Sequence, residues 1–163
     1  MPTDFIALFG VLTAARIRFV IVGGLALVLH GLDRLTADVD IVIDLSSDST
    51  LAAVHALTAT GYRPLAPVDP AALADPALRR EWQETRHMKV FSFWDSTNLR
   101  PTVDIMLDPA VPFPELWTAA SVVNIGGHEV HVASIQHLIE LKEAAGRPQD
   151  RADVDRLRAM LAE

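Results

Sequence analysis

Apolar positions along this chain switch repeatedly between two periods. Phe5, Leu8, Phe9 and Leu12 recur at the spacing of an amphipathic helix, and Phe19 to Val22 then form a short apolar run that Gly23 and Gly24 end abruptly. The pattern predicts helix, strand and glycine turn in that order. Leu25 to Leu29 continue as a short helix closed by Gly31, and Val39 to Ile43 alternate with Asp38, Asp40 and Asp44 at the period of a strand. Helical spacing returns at Leu51, Val54 and Leu57, and Pro64 to Pro76 reads as a proline-punctuated excursion. Val90 to Trp94 and Thr102 to Leu107 are expected as antiparallel strands around a turn at Ser96-Thr97-Asn98. Gly126-Gly127 between Ser121–Ile125 and Glu129–Val132 signals a hairpin. A helix capped by Ser134 and stopped at Gly146, then a second carrying Val154, Leu157 and Leu161, finish the chain as a helical pair. These elements predict an α/β (α+β) fold, a mixed sheet with helices packed on it.

With 163 residues, half of them hydrophobic, the chain is expected to fold as one domain, residues 1–163, around one core. Its most apolar run, Phe19 to Leu29, contains both glycines and falls short of the about 20 apolar residues that span a bilayer. Pro2 and Asp4 open the chain without the basic region of a secretory leader, so no membrane association and a cytoplasmic location are expected. There is no cysteine, which leaves carboxylates and six histidines as metal ligands. The net charge of −7 disfavours a protein devoted to gripping long nucleic acid, although Arg79, Arg80, Arg86, Lys89 and Arg100 form a local basic stretch that suits either an anionic partner or a solvated loop. Trp82, Phe93 and Trp94 are expected in the core.

The acids carry the chemistry. Asp38 and Asp40, two apart on an expected strand, project from one face, where they repel each other and invite a cation; Mg²⁺ is the natural candidate, with Mn²⁺ as its substitute. The same spacing also suits a solvent-facing edge strand. Asp104 lies inside the apolar run Val103 to Leu107, where an unpaired carboxylate is costly, and three carboxylates on neighbouring strands can hold two metals about 3.5–4 Å apart. Asp44 and Asp108 read as strand-ending loop residues. Gly23-Gly24 sits where backbone amides can receive a phosphate, or where a tight turn needs positive φ. Arg34 and Thr36 are a phosphate-binding pair or ordinary loop residues, and His30 a satisfied helix-end histidine. Lys142 shares an inward stripe with Ile135, Leu138 and Ala145, where its amine reaches an anion or pairs with Asp150 or Asp153.

The ordered set Val22-Gly23-Gly24-Leu25-Ala26, His30-Gly31, Arg34-x-Thr36-x-Asp38-x-Asp40 and Val103-Asp104 resembles the minimal nucleotidyltransferases of the DNA polymerase β superfamily. The likeness is strongest to the bacterial stand-alone group that includes the AbiEii-type toxins, and it extends to Leu141-Lys142, Gly146-Arg147, Asp150 and Asp153 near the end of the chain. This resemblance implies a polymerase β-like palm and transfer of a nucleoside monophosphate from a nucleoside triphosphate to a hydroxyl. It also implies Asp38, Asp40 and Asp104 as catalytic metal ligands, and Gly23, Gly24, Arg34, Thr36 and Lys142 at the nucleotide. Many relatives carry serine after the first glycine; here Gly24 removes that hydroxyl. The acceptor implied is a tRNA, a protein or a small molecule such as an antibiotic, and a toxin would bring an antitoxin partner. A non-catalytic nucleotide- or partner-binding module is the alternative from a different class.

Overall fold

The computed structural model describes residues 3–163. The expectation that no secretory leader is present rests partly on Pro2, which lies outside the described residues. The elements run α1 (Thr3–Ala14), β1 (Phe19–Val22), α2 (Gly23–Leu29), β2 (Val39–Ile43), α3 (Ser47–Ala59), β3 (Tyr62–Pro64), a 3₁₀ turn (Pro70–Ala74), α4 (Pro76–Arg86), β4 (Val90–Asp95), β5 (Val103–Met106), α5 (Phe113–Ala119), β6 (Ser121–Ile125), β7 (His128–Val132), α6 (Ile135–Ala145) and α7 (Pro148–Leu161). Among the described residues the strands form one mixed sheet of seven in the order β3-β4-β5-β2-β1-β7-β6. The expected α/β class is the one observed. No helix among the described residues is long and apolar enough to cross a membrane.

Strand pleating sorts the side chains. Phe19, Ile21, Ile41, Ile43, Val103, Ile105, Phe91 and Phe93 share one face, and all are buried. Helix α1 covers that face, with Phe9 stacked on Phe19 at 6.1 Å, and α3 packs beside it. The opposite face carries α5, whose Trp117 stacks on His131 of β7, and the paired helices α6 and α7. Removing this much aliphatic and aromatic surface from water, at roughly 25 cal/mol per Å², is what stabilises the assembly. The predicted hairpin forms at Gly126 and Gly127, whose φ values of 60° and 88° are those a two-residue turn of the twisted type demands.

Several expectations need correction. The segment from Pro64 is more ordered than its prolines suggest: it starts in β3 and leads through the 3₁₀ turn into α4, with Asp69 and Asp75 each accepting hydrogen bonds from the amides that follow. Helix α4 escapes the hydrophobic pattern because Trp82 alone of its residues is buried. On α3, Thr50 faces inward and Leu51 is exposed; on α7, Leu161 is exposed and Asp150 and Asp153 take the inward stripe with Val154 and Leu157. Trp82 and Phe93 are core, whereas Trp94 is 38% exposed. The basic stretch is partly structural: Arg79 donates to the Leu73 and Leu45 carbonyls, and Arg100 pairs with Asp95.

Asp95 fastens the β4–β5 turn. Its buried carboxylate accepts from the amides of Thr97 and Arg100, from the Thr97 hydroxyl and from the Arg100 guanidinium. Burial alone would raise its pKa, but these donors hold it far below the ordinary carboxylate value. A depressed folded-state pKa contributes stability that is present above the unfolded value near 3.9 and lost as pH falls below it. Asp95→Asn is expected to cost about 2 kcal/mol in chemical denaturation at pH 7 and to flatten the acid limb of the stability profile below about pH 4.

Candidate active site

One row of the sheet builds the site. Asp40 of β2 is in register with Val22 of β1 on one side and Asp104 of β5 on the other, and Asp104 is in register with Ser92 of β4. Residues opposite each other share a face, so Asp40, Asp104 and Ser92 stand side by side. The two aspartates share a hydrogen bond, and the Ser92 hydroxyl donates to Asp104 Oδ1 at 2.5 Å. Asp38 precedes β2 by one residue and is exposed at the rim; the Val39 amide, donating to the Thr102 carbonyl at 2.9 Å, fixes that end of β2 against β5. Ser92 was hidden in the sequence, its only signal being a polar residue between the buried Phe91 and Phe93.

Gly23 follows Val22 directly and adopts φ +67°. A Cβ there would stand 2.1 Å from Asp40 Oδ2, so the absence of a side chain is what lets the strand end pass the carboxylate. Gly24 borders the same space: its Cβ would lie 3.2 Å from Thr36 Oγ1 and 3.6 Å from Arg34 Nε. No side chain caps the start of α2, which leaves its first amides open. The glycine pair, Arg34 and Thr36 are therefore gathered on the β1 side of the acids. His30 bonds the Ala133 carbonyl through Nε2 at 2.8 Å, as a satisfied histidine, and Asp44 and Asp108 lie beyond their strands, as expected.

Lys142 is buried and paired. Its ammonium lies 3.2 Å from Asp150 and 3.0 Å from Asp153; Arg34 also bonds Asp153, and Arg147 bonds Asp150 at 2.8 Å. This alternating chain ties the loop before β2 to α6 and α7. Of the two options open in the sequence, pairing with α7 is the one these contacts express, with both of the acids named there, Asp150 and Asp153, as partners. Ala145, expected on the inward stripe, is exposed, and Leu138, Ile139 and Lys142 face inward.

The electrostatics divide the acids into two groups. Burial, then the charge and hydrogen bond of Asp104, then Asp38, push the Asp40 carboxyl up to about 7, against the pull of Lys142. Asp38 is raised as well, by burial and Asp104. Asp150 and Asp153 move the other way: burial raises them, but hydrogen bonds from Arg147 and Arg34 respectively, and from Lys142, more than offset it. The first group lacks positive charge and the second has it. Among the described residues no three histidine, aspartate or glutamate side chains form a ready-made metal cage. The open pair Asp40 and Asp104, with Asp38 at the rim, nevertheless matches the donor set of Mg²⁺, which takes one or two carboxylates and completes its shell with water and substrate phosphate.

No protein-family model matches the chain, and no curated protein does. Solved structures do. The antibiotic-resistance factor ANT(2″)-Ia, in complex with adenylyl-2″-tobramycin, superimposes with a TM-score of 0.59 at 15% identity over 94% of this chain and 84% of that one. A candidate nucleotidyltransferase from Thermotoga maritima gives 0.54 at 14% identity over 97% and 90%, and an antigenic nucleotidyltransferase-like protein from Paracoccidioides brasiliensis gives 0.54 at 16% over 94% and 73%. The chain has the fold of the nucleotidyltransferases.

Two outcomes follow from the acid pair. A carboxyl whose folded-state pKa is raised from about 3.9 to about 7 stabilises the fold below the unfolded value, and that contribution is lost as pH rises through 7. The metal-free protein is expected to lose thermal stability between pH 5 and pH 8, and Asp40→Asn to remove that slope in a melting series. Gly23→Ala is expected to cost about 2 kcal/mol or more in denaturant titration, from positive φ and collision with Asp40 together.

Proposed function

We propose that the chain is a divalent-cation-dependent nucleotidyltransferase that moves a nucleoside monophosphate from a nucleoside triphosphate to a hydroxyl. The observation that carries this reading is the row Gly23, Asp40, Asp104, Ser92: a bare backbone turn against one end of an acid pair whose charge nothing in the fold fully neutralises. Asp38, Asp40 and Asp104 are the residues that would hold Mg²⁺ or Mn²⁺, and a bound cation would supply charge neutralisation at the phosphates and activation of the acceptor hydroxyl. The open amides of Gly23 and Gly24, the Thr36 hydroxyl and the guanidinium of Arg34 receive the triphosphate. Lys142, held by Asp150 and Asp153, directs its charge toward the same space, as its effect on Asp40 records.

In the transfer, the acceptor oxygen bonds to the α-phosphorus as the bridging bond to the β-phosphate breaks, and pyrophosphate leaves. The acceptor proton passes to the Asp104 carboxylate, which the Ser92 hydroxyl orients. The motif order along the chain supports the AbiEii-type group, with tRNA or protein as acceptor and an antitoxin as partner. The full-length likeness to a protein holding adenylylated tobramycin supports a small-molecule acceptor. The second has a structural observation behind it.

The test is binding. With Mg²⁺ present and a triphosphate at ten times its Kd, the fold gains about 1.4 kcal/mol, a melting shift of roughly 3–5 °C for a domain of this size. Failure of ATP, CTP, GTP and UTP alike at millimolar concentration would overturn the reading. Lys142→Met leaves Arg147 and Arg34 on the two α7 acids, so it is expected to cost about 2 kcal/mol, less than baring a buried charge, and to weaken triphosphate binding about tenfold. Unchanged affinity would remove Lys142 from the nucleotide site.

A further inference from the structure

The acid row has two flanks, and only the β1 flank is accounted for by triphosphate binding. On the other flank β4 and β5 continue past Ser92 and Asp104 to Val90 and Met106, which are in register and share the acids' face. A cleft of about 390 Å³ opens there, within the range of small-molecule sites. Its walls are Met88, Met106 and Leu141, its rim Lys89 and Asp108, and Ala145 of α6 closes one side. Met106 lies two residues beyond Asp104, about 7 Å along the strand, roughly the span of one sugar ring. Leu141 is the neighbour of Lys142. None of the acids lines the cleft, but its wall residue Met106 stands on the same strand face as Asp104, so a molecule seated against Met106 adjoins the acid row along β5, away from the glycine pair.

The lining restricts what enters. Methionine surfaces are soft and polarisable, and accommodate flat or irregular apolar bodies. The polar residues of the lining are Gln83, His87, Lys89 and Asp108, one of them an acid, so no row of acids faces the cleft. A polycation such as the tobramycin adduct held by ANT(2″)-Ia would need several carboxylates to replace its hydration. This cleft offers one acid, Asp108, and its lining also carries the base Lys89.

We infer that the cleft beside Met88 and Met106 is the acceptor site, and that it takes a neutral hydroxyl compound with an apolar or aromatic body instead of a polycationic sugar. The inference rests on the nucleotidyltransferase reading for its reaction, but not for its binding. The probes are 4-nitrophenyl β-D-glucopyranoside, neutral and aromatic with free hydroxyls, and tobramycin, each titrated into the native chain by calorimetry. The glycoside is expected to bind at millimolar concentration, at least fivefold more tightly than tobramycin. Met106→Glu is expected to weaken the glycoside at least tenfold while leaving the melting shift with Mg²⁺ and triphosphate in place. Lys89→Glu, an exposed change that spares the fold, is expected to leave glycoside affinity within twofold and to raise tobramycin affinity at least fivefold. Tobramycin binding more tightly than the glycoside to the native chain, or glycoside affinity indifferent to Met106→Glu, overturns the inference. Absence of any triphosphate shift in the native chain sinks the parent reading instead, and the calorimetry is read independently of it.

Discussion

Two carboxylates facing each other in register across parallel strands are the constraint around which this molecule is arranged. A pair of unit charges 4 Å apart repels by about 4 kcal/mol at an effective dielectric of 20, against a total folding stability of only about 5–15 kcal/mol for an ordinary domain. Asp40 and Asp104, in register on adjacent strands, cannot both stay ionised and unaccompanied without a share of that margin being lost. The chain answers in layers. A proton held to unusually high pH sits on Asp40, a serine donates to Asp104, and Lys142 adds a partial counter-field from α6. Each is an incomplete remedy, and the incompleteness leaves room for an external cation.

The acids of α7 follow the opposite logic. Asp150 and Asp153 leave less surface to solvent than Asp40, yet each meets two cations, whose hydrogen bonds hold both carboxyls below the ordinary value. Burial raises the pKa of both groups; at Asp40 the neighbouring acids add to it, whereas at Asp150 and Asp153 the hydrogen bonds and charge of two cations outweigh it. The fold thus separates carboxylates that hold positive side chains in place from carboxylates left short of positive charge.

Much of this was legible in the sequence where a local rule and the global fold agree. The strand around Asp40, the Gly126-Gly127 hairpin and the Ser134 cap all rest on short-range patterns, and all appear; the glycine pair marks the end of β1 as expected, but it forms the first residues of α2 where a turn ahead of Leu25 was expected. Helices α4 and α5 were not legible. The first buries one tryptophan on an otherwise polar surface, and the second is a seven-residue helix among prolines, so neither shows a sustained stripe. Within the site, the residue types and spacing of Asp38, Asp40 and Asp104 were readable, but the register that sets Asp40 beside Asp104 is a product of sheet topology. Ser92 belongs to the same category: nothing local distinguishes it from any polar residue on a half-buried strand. The destination of Lys142 was ambiguous for a different reason, since two anions of unlike origin lay within reach of one helix face.

The bond from Arg34 to Asp153 joins residues 119 positions apart. A ribosome adding about 5–20 residues per second takes roughly 6–24 s to cover that distance. For nearly all of that interval the nascent chain already carries its glycine pair, Asp38 and Asp40, but the loop bearing Arg34 lacks its α7 partner. Full assembly of the charged pocket is therefore deferred until the second member of the terminal helical pair emerges, so a chain stalled before α7 presents an unclasped pocket whatever the state of its sheet.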